Sequence, residues 1–182
     1  ISNIKKQKLI IKDLINNSFI DITLTNGYTE GIFLKLKELI EEYETVRTAY
    51  RTFINRGDNN KNTLLEFQSR FVDLKASLRP YHTYFINEWT RRDDKSATSI
   101  KFRICVAISE GRYDDEDDPT VYEKCSITSA EKYASGTLRY KKFIEERGFY
   151  RESLTNITDL RDDCSFYINE VKDRLKYNFE NK

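Results

Sequence analysis

The stretch from Ile32 to Phe53, IFLKLKELIEEYETVRTAYRTF, decides the fold. Its apolar positions Ile32, Leu36, Leu39, Tyr43, Val46, Tyr50 and Phe53 recur in steps of four and three, which keeps them on one face of a helix. Glu41, Glu42, Glu44 and Arg47 fall on the other faces, so one side meets water and the other a core. The pattern returns from Leu64 through Phe67, Phe71 and Leu74 to Leu78, with Thr63 and Glu66 at capping-box spacing and Pro80 as its expected stop. The polar connection Asn55 to Asn62 between the two is short enough to make them antiparallel neighbours.

The same period appears at the far end, in Ile157, Leu160, Cys164, Tyr167, Val171 and Leu175. A helix is expected over roughly Asn3 to Ile22, ended by Asn26-Gly27, and a short aromatic one over Tyr81 to Trp89. Ile100 to Ile108 alternates partly like a strand. Yet Ile100, Ile104, Ala107 and Ile108 also share a helical face, and Gly111 suits a helix C-terminus. Thr120 and Glu123 mark a further helix start after Pro119, and Gly136 and Gly148 punctuate the rest. The expectation is an all-α, single-domain bundle of six to eight mostly antiparallel helices over residues 1–182, with sub-lobes 1–112 and 119–182 joined by the acidic loop 113–118.

The inventory narrows the chemistry. The chain has 182 residues, a net charge of +1, one histidine, three cysteines and six glycines. Near-neutrality removes a sustained basic surface, so nucleic acid is not the expected partner. No apolar run is long enough for membrane insertion. No glycine-rich phosphate cradle is present, and His82, within Pro80-Tyr81-His82-Thr83-Tyr84, has no nucleophile motif beside it. Cysteine spacing does not suit zinc, and neither a metal nor a cofactor is expected. The run Asp114-Asp115-Glu116-Asp117-Asp118 resembles the aspartate-rich motif of all-α isoprenoid synthases, with Asp162-Asp163-Cys164-Ser165 and Glu170 resembling their second one. Pro119 follows at once, however, and places the carboxylates on a loop. A solvated linker is the expected role, and the chain reads as a non-enzyme. A small-ligand carrier or magnesium-dependent all-α enzyme is the outlying alternative.

Binding residues are expected at three places. Arg56-Gly57-Asp58 falls in the inter-helix connection and spells the tripeptide that integrins read, arginine on one subunit and aspartate completing a metal's coordination on the other. Such a triplet arises by chance in roughly 4% of chains of this length and composition. The cluster Tyr81, Tyr84 and Trp89, followed by Arg91 and Arg92, has the composition of a protein-binding patch. Cys105 and Cys125 flank the acidic connection and are the candidate disulfide, with Cys164 on the last apolar stripe. The triplets Asn16-Asn17-Ser18 and Asn156-Ile157-Thr158 fit the glycosylation pattern no more often than composition predicts. Lacking any methionine, the chain is expected to begin at a processed or truncated end. The reading is a secreted or extracellular protein-binding module, possible integrin or other cell-surface receptor included, with a cytoplasmic adaptor as alternative.

Overall fold

The computed structural model describes residues 7–12, 19–24 and 27–180, with side chains described over 34–179. Two strands, β1 (Gln7–Lys12) and β2 (Phe19–Leu24), precede five α-helices: α1 (Gly27–Asn55), α2 (Lys61–Arg91), α3 (Asp94–Ser109), α4 (Ile127–Ala134) and α5 (Leu138–Leu175). A π-helical turn, Lys176–Glu180, follows. The fold is dominated by helix as expected, with five α-helices among the described residues where six to eight were expected.

The differences have local causes. The expected N-terminal helix is an antiparallel ladder running from Gln7 opposite Leu24 to Lys12 opposite Phe19. Leu9-Ile10-Ile11 and Phe19-Ile20-Asp21-Ile22-Thr23 are rich in β-branched residues, which favour a pleated backbone. Asn26 and the Asn16-Asn17-Ser18 triplet lie outside the described residues. Pro80 does not stop α2 but sits inside it, so Tyr81 to Trp89 is its last third and not a separate helix. Gly148 likewise lies within α5, whereas Gly136 does separate α4 from α5. Asn60, rather than Thr63, caps α2, its side-chain oxygen accepting the Thr63 N–H at 3.1 Å. Ser126 caps α4 six residues beyond the expected start.

The chain forms two compact units: residues 1–83 with 155–182, and residues 84–154. The acidic loop lies inside the second. In unit 1, α1 and α2 form the expected antiparallel hairpin, with Phe67 edge-on to Tyr50 at 5.3 Å and beside Phe53 at 5.7 Å. The end of α5 completes the core with Ile157, Leu160, Cys164, Tyr167, Val171 and Leu175, all buried. Tyr43 meets Asp163, Arg51 meets Tyr167, and Asn59 meets Asn178. Both numbers rise together, so α5 runs parallel to α1. Phe71 stands between the two, stacked on Tyr167 at 4.9 Å and 14° and edge-on to Tyr50 at 5.9 Å. Of the expected α1 stripe, Leu36, Tyr43, Val46 and Tyr50 are buried and Leu39 and Phe53 half-buried, Ile40 is buried as well, and the Ile32 side chain lies outside the described residues.

In unit 2, Phe85 is fully buried against Phe149 and Tyr150. Ile104, Cys105 and Ile108 of α3 pack with Ala130 and Ala134 of α4, whose small side chains let the two helices approach. The helical reading of Ile100 to Ile108 holds, and Gly111 ends it with φ +67°. The Arg112 N–H reaches the Ala107 carbonyl at 2.8 Å and the Gly111 N–H the Ile108 carbonyl at 3.0 Å, the paired bonds of a Schellman ending.

Candidate functional site

The acidic run has structural duties in unit 2. Asp118 accepts from the Leu138 N–H at 3.0 Å, the first residue of α5, and from the Thr120 N–H at 3.2 Å. Those bonds, Leu138 foremost, hold its carboxyl below the usual carboxylate range. Asp115 accepts from the Asp117 N–H, and Asp117 pairs with Lys142. Among the described residues, no three His, Cys, Asp or Glu side chains are grouped so as to hold a metal ion. Asp163 is hydrogen-bonded by the Tyr43 hydroxyl and Glu170 by Arg174.

The three cysteines are free, and no pair stands at disulfide distance, which corrects the expected Cys105–Cys125 bridge. The buried Cys105 directs its Sγ to the Ile127 carbonyl at 3.5 Å, and the half-buried Cys125 packs against the same apolar cluster. Cys164 is buried in the unit 1 core, where burial, with Asp163 adding to it, pushes its thiol up to about 11.

The aromatic and arginine cluster is largely engaged within the fold. In unit 2, Arg147 and Arg151 lie over the Trp89 ring, at 5.1 and 5.9 Å from its centroid. Arg92 lies over Tyr150 at 4.3 Å and pairs with Glu88 and Glu146. Tyr84 rests edge-on against Phe85. Arg91 is exposed and bonds Glu88, and Tyr81, in unit 1, is half-buried. His82, also in unit 1, is half-buried, and burial, followed by Arg161, lowers its pKa.

Of the three places expected to bind, the turn at one end of unit 1 stays fully exposed. Arg56, Gly57 and Asp58 are all exposed, on a turn in which Gly57 adopts φ +72° and its N–H bonds the Ile54 carbonyl at 3.0 Å. That conformation favours glycine, because a Cβ there crowds its own backbone. Neither Arg56 nor Asp58 makes a side-chain hydrogen bond or ion pair among the described residues. The turn is fastened at its far side, where Asn178 donates to Asn59 at 3.0 Å.

Beside this turn, α1 and α5 flank an open cavity of about 350 Å³ lined by Tyr50, Arg51, Ile54, Asn55, Phe166, Tyr167 and Glu170. Phe166 is 61% exposed although its neighbour Tyr167 is buried. Residues 166 and 167 cannot both face the core, since consecutive helical side chains point about 100° apart. Arg51 donates its Nε–H to the Tyr167 hydroxyl at 3.2 Å. Sequence reasoning found the Arg56-Gly57-Asp58 turn but missed Arg51 and Phe166. The available signal was a large aromatic placed off the apolar stripe of its helix. No described helix is long and apolar enough to cross a membrane. Compared with protein-family models, curated proteins and solved structures, the chain matches none.

Proposed function

We propose that this chain is a non-catalytic protein-binding module whose contact surface is the loop end of unit 1. The observation that carries the reading is Phe166, an aromatic side chain 61% exposed at a cavity between two helices. Keeping such apolar area in water forgoes roughly 25 cal/mol per Å², which burial against a partner recovers. Aromatic and arginine side chains are also the usual anchors of protein interfaces, and Arg51 and Arg56 stand on the same end. Three unpaired thiols suit a reducing compartment and support the adaptor setting over the secreted one.

The test is affinity capture from the natural source with the wild-type chain, Phe166→Asp and Val72→Asp. Val72, on α2, is 46% exposed and serves as an apolar control elsewhere. Partners kept by wild type and Val72→Asp but lost by Phe166→Asp are the expected result. Equal retention by all three contradicts it.

A second reading, adhesion through Arg56-Gly57-Asp58, is favoured by the exposed turn that carries both charges. Asp58→Glu keeps the charge and moves the carboxylate. Undiminished binding of that variant to purified integrins, or no binding by the wild type, ends this reading.

A further inference from the structure

We propose that the cavity between α1 and α5 anchors an aspartate or glutamate side chain of the partner protein on the Arg51 guanidinium. This rests on the loop end of unit 1 being the protein-binding surface.

The argument is an account of donors and charge. Arg51 spends its Nε–H on the Tyr167 hydroxyl, which orients the guanidinium plane against α5. Its two terminal nitrogens make no hydrogen bond or ion pair among the described residues. Tyr167, accepting from Arg51, keeps its own proton to donate, and the Asn55 amide makes no side-chain bond among the described residues. The carboxylate lining this cavity is already neutralised: Glu170 Oε1 accepts from both Nε and Nη2 of Arg174, at 3.2 and 3.0 Å. The polar lining therefore offers donors and one uncompensated positive charge. With Nε–H spent, the end-on edge formed by the two terminal nitrogens still matches a carboxylate in bidentate fashion, with the strength of a charge-assisted bond.

The rest of the cavity fixes the size and surroundings of that carboxylate. About 350 Å³ lies at the small end of ligand sites, suited to a side chain rather than a large cofactor. Ile54 and Phe166 supply apolar wall for the methylenes of the acidic residue and for an apolar neighbour in the partner sequence. Removing water from this wall strengthens the ion pair beside it.

The experiment follows the Arg51 Nε–H and Asn55 side-chain amide signals by ¹⁵N NMR during titration of the intact chain. The probes are acetyl-Leu-Asp-amide, its uncharged counterpart acetyl-Leu-Asn-amide, and inorganic phosphate. The acidic probe is expected to move both signals and to bind at least tenfold more tightly than the other two. Arg51→Gln abolishes the Asn55 response, and Arg51→Lys retains part of it. Arg51 is exposed, so the variants keep the fold, which the unchanged remainder of each spectrum verifies. Equal responses to acid and amide, an equal response to phosphate, a response that survives Arg51→Gln, or no response at all each overturn the proposal. The two readings separate cleanly. Phe166-dependent capture without a carboxylate response refutes the anchor alone, whereas a carboxylate response without such capture refutes the protein-binding surface.

Discussion

Phe71 and Phe166 are the same residue type on two helices of one unit, and their truncations are expected to do opposite things. Phe71 is fully buried, stacked on Tyr167 from α5 and edge-on to Tyr50 from α1. Phe71→Ala removes the ring that joins all three helices of unit 1. Truncations of this kind cost about 3–5 kcal/mol, and the loss of two aromatic pairings places this one near 4–5 kcal/mol. Among the described residues Phe166 has a single ring neighbour, Tyr167 at 5.4 Å, and its exposed face loses nothing on truncation. Phe166→Ala is therefore expected to cost below about 1 kcal/mol. Urea unfolding followed by circular dichroism separates the two. With a slope of about 2 kcal/mol per molar urea, Phe71→Ala shifts the midpoint down by about 2 M and Phe166→Ala by under 0.5 M. Partner capture should invert the order, with Phe166→Ala impaired and folded Phe71→Ala intact. A Phe71→Ala cost below about 1.5 kcal/mol, or equal costs at the two positions, refutes the packing argument.

Four further outcomes follow from single features. Pro80 withholds an N–H from the interior of α2, so Pro80→Ala should raise stability by about 1–3 kcal/mol, read as a higher Tm; a lower Tm contradicts this. Gly57→Ala forces a Cβ into φ +72° with open space around it, so the expected loss is backbone strain alone, about 1 kcal/mol by urea unfolding, with no repacking elsewhere in the spectrum. Burial first, then the negative charge of Glu170, pushes the Tyr50 phenol up to about 12, and burial with the Asp163 bond raises Tyr43 further. The stabilisation from a proton held more tightly in the fold is fully present below the unfolded value of about 10 and is lost as pH climbs from there towards 12. Urea midpoints that stay level from pH 9 to 11.5 contradict this. In the native protein, a thiol reagent should label Cys125 first and reach Cys105 and Cys164 only on unfolding; rapid labelling of Cys164 counts against its burial.

The α1–α2 hairpin was legible because its signal is local. Seven apolar positions at helical spacing, then five more, report a face without reference to the rest of the chain. The stripe on α5 was legible for the same reason, but its parallel course beside α1 was not. Direction is set by contacts such as Tyr43 with Asp163, 120 residues apart, which no local pattern encodes. Pro80 misled because the rule concerns one lost hydrogen bond and a clash, while α2 is held on both sides by buried Leu74, Leu78 and Phe85. The N-terminal ladder misled because Ile11 and Ile22, read as part of a helical stripe with Ile4, Leu14 and Ile15, fit a pleated strand equally well at that length. Thr120 and Glu123 had capping spacing without a helix to cap; Asp118 and Ser126 hold the helix ends that the segment actually meets.

The site divides in the same way. Gly57 was readable as a turn residue, since a glycine between two helices answers a local backbone need. The Arg51–Tyr167 pair depends on the relative placement of two helices far apart in sequence, so neither residue stood out alone. Trp89 and Arg92 looked available because their composition matches interfaces, yet guanidinium groups of α5 and carboxylates of α2 and α5 occupy them. Composition pointed to residue types common at contact surfaces but could not say whether the chain itself had already used them.

The most direct test places a photo-crosslinking phenylalanine derivative at position 166, and in a second protein at position 72, and irradiates each in its natural source. The account predicts one discrete adduct from position 166, absent from position 72, whose crosslinked peptide carries an aspartate or glutamate beside the attachment point. No adduct from 166, or the same adduct from both positions, contradicts the assignment of the loop end of unit 1 as the binding surface.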